Sequence, residues 1–145
     1  MWKDFQKLRL AQEAAAVERL MPYFGYDYGA DYMWFSGWWR SNLDRPYFVR
    51  TELPPTYPDA VPDTYVVRPS PLLDSRGRHM TSYGSNHDMH TWATDREGQV
   101  KICIVRPEDW SAEYSVVKVL RKALLWITAY ESHTKSGRPI ADYLL

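Results

Sequence analysis

Phe48-Val49-Arg50-Thr51-Glu52-Leu53-Pro54-Pro55-Thr56-Tyr57-Pro58 is the stretch whose reading decides the fold. Rings and β-branched side chains favour an extended, pleated backbone, so Tyr47 to Leu53 is read as a strand. Proline cannot donate to a strand ladder, so Pro54, Pro55 and Pro58 end that strand and stiffen the turn that follows. Beyond the turn, Thr64-Tyr65-Val66-Val67 lies between Pro62 and Pro69, and Asp63 to Val67 is predicted as the next strand. On the upstream side, Tyr32-Met33-Trp34-Phe35-Ser36-Gly37-Trp38-Trp39 predicts a preceding strand, joined through the polar turn Ser41-Asn42-Leu43-Asp44 and Arg45-Pro46. Three consecutive strands with short turns make an antiparallel meander.

Before the meander, Trp2 to Met21 reads as an amphipathic helix, with Phe5, Leu8, Ala15, Ala16 and Leu20 as its apolar stripe. Gln12 interrupts that stripe, and Ala11 can share its contact; Pro22, Gly25 and Gly29 are read as breaking the pattern before the first strand. After the meander, Ser70 to Met89 is polar and has no sustained period, which predicts a long functional loop. His90 to Thr94 and Gln99 to Val105 then form a hairpin that turns at Asp95-Arg96-Glu97-Gly98. In its second arm Val100, Ile102 and Ile104 share one face while Lys101, Cys103 and Val105 share the other. Cys103 is thereby predicted to point away from the core. A second helix follows over Ser111 to Glu131, with Val116, Val117, Leu120, Leu124 and Ile127 at helical spacing, Ser111 or Ser115 as its cap, and Gly137 and Pro139 beyond it. Arg138 to Leu145 has room for one more turn. The predicted class is α+β, a single domain over 1–145: an N-terminal helix, a four-stranded antiparallel meander, a long active-site loop and a C-terminal helix.

Composition narrows the function. The 145 residues are 45% hydrophobic, which suits one domain with a sizeable core. Eighteen Lys plus Arg are balanced by eighteen Asp plus Glu, so the total charge encodes no attraction to phosphate backbones or anionic lipid. Neither nucleic acid nor membrane is the expected partner, and no apolar run reaches the roughly 18 residues of a membrane span. A single cysteine forms no internal disulfide, and the start Trp2-Lys3-Asp4-Phe5 lacks a signal peptide's apolar run. The expectation is a cytoplasmic, reduced protein. Seven Trp and eleven Tyr supply much of the core, and the density of rings at 32–39 leaves some ring faces for a partner.

Two elements together carry a resemblance. Leu53-Pro54-Pro55-Thr56-Tyr57-Pro58 matches a hydrophobe-Pro-x-x-Tyr-Pro element, Pro62 falls at a further proline, and Cys103 lies seven residues before Trp110-Ser111 and the helix that contains Ser115-Val116-Val117-Lys118-Val119-Leu120. In this order they resemble the ubiquitin-conjugating enzymes, over nearly the whole chain. The resemblance implies the UBC-like fold, and it implies that Cys103 carries a protein C-terminus as a thioester. One departure stands out: the His-Pro-Asn element of eukaryotic members, whose asparagine stabilises an oxyanion, is replaced here by Asn86-His87-Asp88-Met89-His90. The two C-terminal helices common in eukaryotic enzymes also have no counterpart. These departures, with Trp126-Ile127-Thr128-Ala129-Tyr130-Glu131-Ser132-His133 followed by Gly137, are similar to the bacterial, E2-like branch. Some members of that branch belong to CBASS anti-phage operons and act on the C-terminus of a cGAS-like nucleotidyltransferase. The compact chain resembles their stand-alone form, which has no separate activating enzyme.

The chemistry so implied needs a sulfur that can become thiolate, a donor for the oxyanion and a group to take a proton. Lys101 is the expected cation beside Cys103. Asn86, His87, Asp88 and His90 are the candidates for donor and base, and Glu108 or Asp109 for proton acceptor; as first-turn acids the last two also simply suit a helix N-terminus. Lys3, Lys7 and Arg9 on the first helix correspond to the face that meets an activating enzyme in eukaryotic relatives, or are a solvated face. His87-x-x-His90 is half of a zinc site without a third ligand, so neither a metal nor a cofactor is expected. Three alternatives stand beside the enzyme: Cys103 as a small buried hydrophobe, a non-catalytic module of the same fold that docks a partner through Trp38-Trp39 or the 70–89 loop, and a small-molecule thiol acyltransferase using His90.

Overall fold

A computed structural model describes residues 1–144. It is an α+β molecule in which an N-terminal helix, α1 (Asp4–Leu20), precedes a six-stranded antiparallel sheet, and a long helix, α2 (Val116–Ser136), follows it. The strands are β1 (Phe24–Tyr28), β2 (Met33–Arg40), β3 (Pro46–Glu52), β4 (Asp63–Arg68), β5 (Thr91–Trp92) and β6 (Val100–Ile102), in the spatial order β1-β2-β3-β4-β6-β5. The predicted meander is present as β2, β3 and β4, but the sheet has six strands rather than four. Phe24 to Tyr28, read from Gly25 and Gly29 as a break, is an edge strand. It pairs from Phe24↔Gly37 to Tyr28↔Met33. Position 37 must be glycine for this pairing, because a Cβ there would lie 2.5 Å from the Tyr23 carbonyl oxygen.

One sheet face carries Met33, Phe35, Tyr47, Val49, Val66, Val100 and Ile102, which are buried in a common core with Leu10 and Val17 of α1 and Val117, Leu120 and Ile127 of α2. The other face carries Trp34, Trp38, Phe48 and Arg50, with Trp38 55% exposed. Removal of the core side chains from water is the main stabilising term, about 25 cal/mol per Å² of apolar surface.

The first helix turns a different face inward from the one its apolar residues suggest. Gln6, Leu10, Glu13 and Val17 are buried, whereas Phe5 is 60% and Leu8 65% exposed. Specific hydrogen bonds account for the two buried polar residues. Gln6 Nε2 donates to the Pro55 and Tyr57 carbonyls at 2.8 and 2.9 Å, which fixes the proline turn against α1. Glu13 accepts from the Tyr57 hydroxyl and, at 3.0 Å, from the Val116 N–H in the first turn of α2. Helix α2 starts and ends five residues later than the predicted Ser111 to Glu131: Ser115, one of the two expected caps, accepts from Lys118 N at 3.1 Å, and Gly137 closes the helix at φ 77°, in the left-handed region glycine enters freely.

The 70–89 stretch is a loop with substantial internal order. Leu72 and Met80 anchor it in the core, a short 3₁₀ turn spans Met80–Tyr83, and Leu73 bridges His79. At its centre the Asp74 carboxylate accepts from the Arg76 and Arg78 N–H groups, the Arg78 guanidinium and the Tyr83 hydroxyl. The predicted last turn is present as a 3₁₀ turn over Ile140–Tyr143.

Candidate active site

Cys103 follows directly on β6 and is half-buried. It lines an open cleft of about 430 Å³ together with Asn86, His87, His90 and Asp109. All five sequence-predicted site residues therefore face one space, although Asp109 is 23 positions from Asn86 in the chain. Asp88 and Glu108 do not line it; the side chain of Glu108 lies 3.8 Å from Arg106.

The floor of the cleft is the turn from Asn86 to His90, and its shape is over-determined. Each of its five carbonyls accepts a hydrogen bond: Asn86 from Thr91 N, His87 from His90 N, Asp88 from Ala141 N, Met89 from the Trp126 indole and His90 from Cys103 N, at 2.8 to 3.2 Å. The Asn86 side chain closes the turn by accepting from Met89 N at 3.0 Å, so its Nδ2 end is what it can offer to an oxyanion. These bonds hold His90 at φ 51°, a left-handed conformation that is uncommon for a residue other than glycine. Strain of this kind, about 1–3 kcal/mol, persists where the surroundings enforce it. Its effect here is to seat the His90 carbonyl 2.8 Å from the Cys103 N–H.

The proline turn is tied to the segment that follows Cys103. The Trp110 indole donates to the Pro58 carbonyl at 2.8 Å, and its ring lies 6.3 Å from that of Tyr57, whose hydroxyl meets Glu13. The two stretches that carried the sequence reading thus touch each other, through Trp110. Between Cys103 and Trp110 the chain makes a 3₁₀ turn, Pro107–Asp109, in which Asp109 accepts from Arg106 Nε at 3.2 Å.

Burial pushes the Cys103 thiol above its ordinary range; the charges of Arg106 and Lys122 pull it down and that of Glu108 adds to the rise. The expected cation, Lys101, is engaged elsewhere, its Nζ lying 3.3 Å from Asp63 Oδ1. Cross-strand pairing is the reason: Lys101 sits opposite Tyr65 on β4, within reach of Asp63, and the strand ends at Ile102, before Cys103. Arg106 and Lys122 were not anticipated from the sequence. Lys122 lies on a helix whose apolar positions carry its whole pattern, so nothing in the spacing marks it, whereas Arg106, three residues past Cys103, could have been found by proximity. His90 is pushed below the ordinary histidine range, first by burial and then by the charge of His87, whose ring is 5.4 Å away. A neutral imidazole can take a proton. Among the described residues no group of three or more His, Cys, Asp or Glu side chains is arranged to hold a metal ion, and no helix is long and apolar enough to cross a membrane.

Chemically, the arrangement offers a reachable sulfur, a neutral imidazole, an amide and two cations around one opening. Comparison with family models, with curated proteins and with solved structures finds no match for this chain.

Proposed function

We propose that this α+β chain has the UBC-like fold and is a ubiquitin-conjugating-like enzyme that holds a protein C-terminus as a thioester on Cys103 and passes it to an acceptor. The observation that carries the reading is the meeting of three separate parts at one opening: Cys103, the Asn86, His87 and His90 residues of the 86–90 turn, and Asp109 of the 3₁₀ turn that leads to Trp110. A cysteine that only filled core space would not line an open cleft with polar side chains of this kind. The raised thiol range is compatible with the role, because exchange between thioesters depends more on positioning of the incoming carbonyl than on a strong nucleophile.

In this reading His90 takes the proton from the attacking amine, Asn86 Nδ2 donates to the oxyanion, and His87 and Asp109 line the approach. The resemblance further suggests the C-terminus of a cGAS-like nucleotidyltransferase as the protein carried, in bacterial anti-phage defence. Replacing Cys103 by alanine should leave the fold intact, by circular dichroism, and abolish any adduct with such a synthase that thiol reductant releases. An adduct that persists in C103A would refute the assignment.

A second reading, a module of the same fold that only docks a partner, is favoured by the sheet face bearing Trp38, where a large ring stays 55% exposed beside Phe48. A stoichiometric complex with no covalent species on intact mass would favour the module.

A further inference from the structure

Two clefts open on Cys103, the first of about 430 Å³ and a second of about 260 Å³, and four residues line both: His90, Cys103, Ile104 and Lys122. Apart from the apolar Ile104, these are a sulfur, an imidazole and a primary amine. Lys122 is carried by helix α2, lines both clefts, and its charge acts on the Cys103 thiol. Arg106, the other cation of the first cleft, is taken up by Asp109 at 3.2 Å and Glu108 at 3.8 Å. Lys122 has no carboxylate within 4 Å among the described residues. Its ammonium lies 5.7 Å from the centre of the Tyr114 ring, a contact worth only about 0.5–1 kcal/mol at an exposed site. The amine is therefore local to the sulfur and free to move toward it.

We propose that Lys122 is an acceptor for the group carried on Cys103, so that the enzyme acylates its own second helix. This rests on the thioester reading above. In the step, the neutral Nζ of Lys122 attacks the thioester carbonyl carbon. A C–N bond forms, the C–S bond breaks, His90 takes the proton from nitrogen and returns it to the departing sulfur, and the products are an amide on Lys122 and the Cys103 thiol. Donor and acceptor sit on one chain, so the reaction has the advantage of an intramolecular transfer over capture of a free amine. The acyl chain then lies in the wall shared by both clefts, and a second loading of Cys103 is obstructed. Self-acylation is in this way self-limiting.

The probe is a synthetic peptide whose C-terminal glycine is a thioester of 2-mercaptoethanesulfonate, mixed with the full chain and followed by intact mass with and without thiol reductant. On the wild type, a reductant-sensitive adduct of one acyl unit should appear first and convert into a reductant-resistant one, which peptide mapping places on Lys122. K122R should keep the sensitive adduct and lose the resistant one by about ten-fold or more, while C103A should form neither. Resistant adduct formed by K122R at the wild-type rate, mapping to another lysine, or never following the sensitive adduct would overturn self-acylation and leave the thioester standing. Absence of the sensitive adduct from the wild type would overturn both.

Discussion

At Cys103 burial raises the thiol's range and two cations, Arg106 and Lys122, oppose it. Alkylation by iodoacetamide reads the thiolate, so its rate should rise through an inflection above the roughly 8.5 of a free cysteine. Removing a positive charge disfavours the anion; K122M should therefore move the inflection further up. An inflection below the free-cysteine value, or a downward move in K122M, would contradict the environment described. At this scale the sequence was informative where function clusters along the chain. Asn86, His87 and His90 belong to one turn, Asp109 follows the cysteine closely, and all of them reach the cleft. It was misleading where contacts depend on distant pairing: Lys101 was expected beside the sulfur on the shared strand face, but the strand ends at Ile102 and Lys101 is taken up by Asp63 of the neighbouring β4. Lys122 was invisible, because a lysine on a helix between apolar positions is the ordinary pattern of a solvated face.

Helix α1 shows how an element can be located correctly and oriented wrongly. Periodicity found the helix within two residues at each end, yet its apolar stripe of Phe5, Leu8 and Leu20 is the exposed side. The inward side uses Gln6 and Glu13, whose burial becomes acceptable only through partners on the proline turn and α2, 44 to 103 positions away. No local window contains that information. Glu13, with 5% of its side chain exposed, accepts from Tyr57 and Val116 and lies 3.5 Å from Arg9. E13A leaves the Val116 N–H unpaired and the Tyr57 hydroxyl with only the Tyr114 carbonyl at 3.4 Å. An unpaired buried donor costs about 1–3 kcal/mol, so the urea midpoint should fall by the equivalent of about 1–3 kcal/mol, with little change in slope. A shift under about 0.5 kcal/mol would show that Glu13 does not hold α1, the proline turn and α2 together. The edge strand β1 escaped notice for a related reason: Gly25 and Asp27 are poor strand formers, and its extended form is enforced by pairing with β2. Helix α2, whose cap, apolar face and terminal glycine are local signals, was legible in these features, although it runs from Val116 to Ser136 rather than over the expected Ser111 to Glu131.

Across the whole molecule, the class and the order of helix, sheet and helix were readable, because they follow from patterns that each segment carries alone. The number of strands and the order β1-β2-β3-β4-β6-β5 were not, since they depend on pairings between distant segments. The 70–89 loop is ordered by Asp74, whose side chain is fully enclosed. Burial alone would raise that carboxyl, but the hydrogen bonds from Arg78, Tyr83 and Arg76 hold it well below the usual carboxylate range. Its contribution to stability is thus present in full above its unfolded value near 3.8 and is lost as the pH falls toward the lower folded value. D74N should be less stable than wild type at pH 7, and the gap should narrow below about pH 4; a gap that is constant or widens in acid would contradict this account of the loop. The same loop runs into the turn at Asn86–His90, so its order supports the floor of the cleft. The central claim is that the sulfur in this cleft takes an acyl group from a polypeptide C-terminus, and the most direct measurement is intact mass of wild type and C103A after incubation with a C-terminal peptide thioester, before and after thiol reductant. One acyl unit on the wild type, released by reductant and absent from C103A, is the predicted result; an unmodified wild type, or equal modification of C103A, would contradict it.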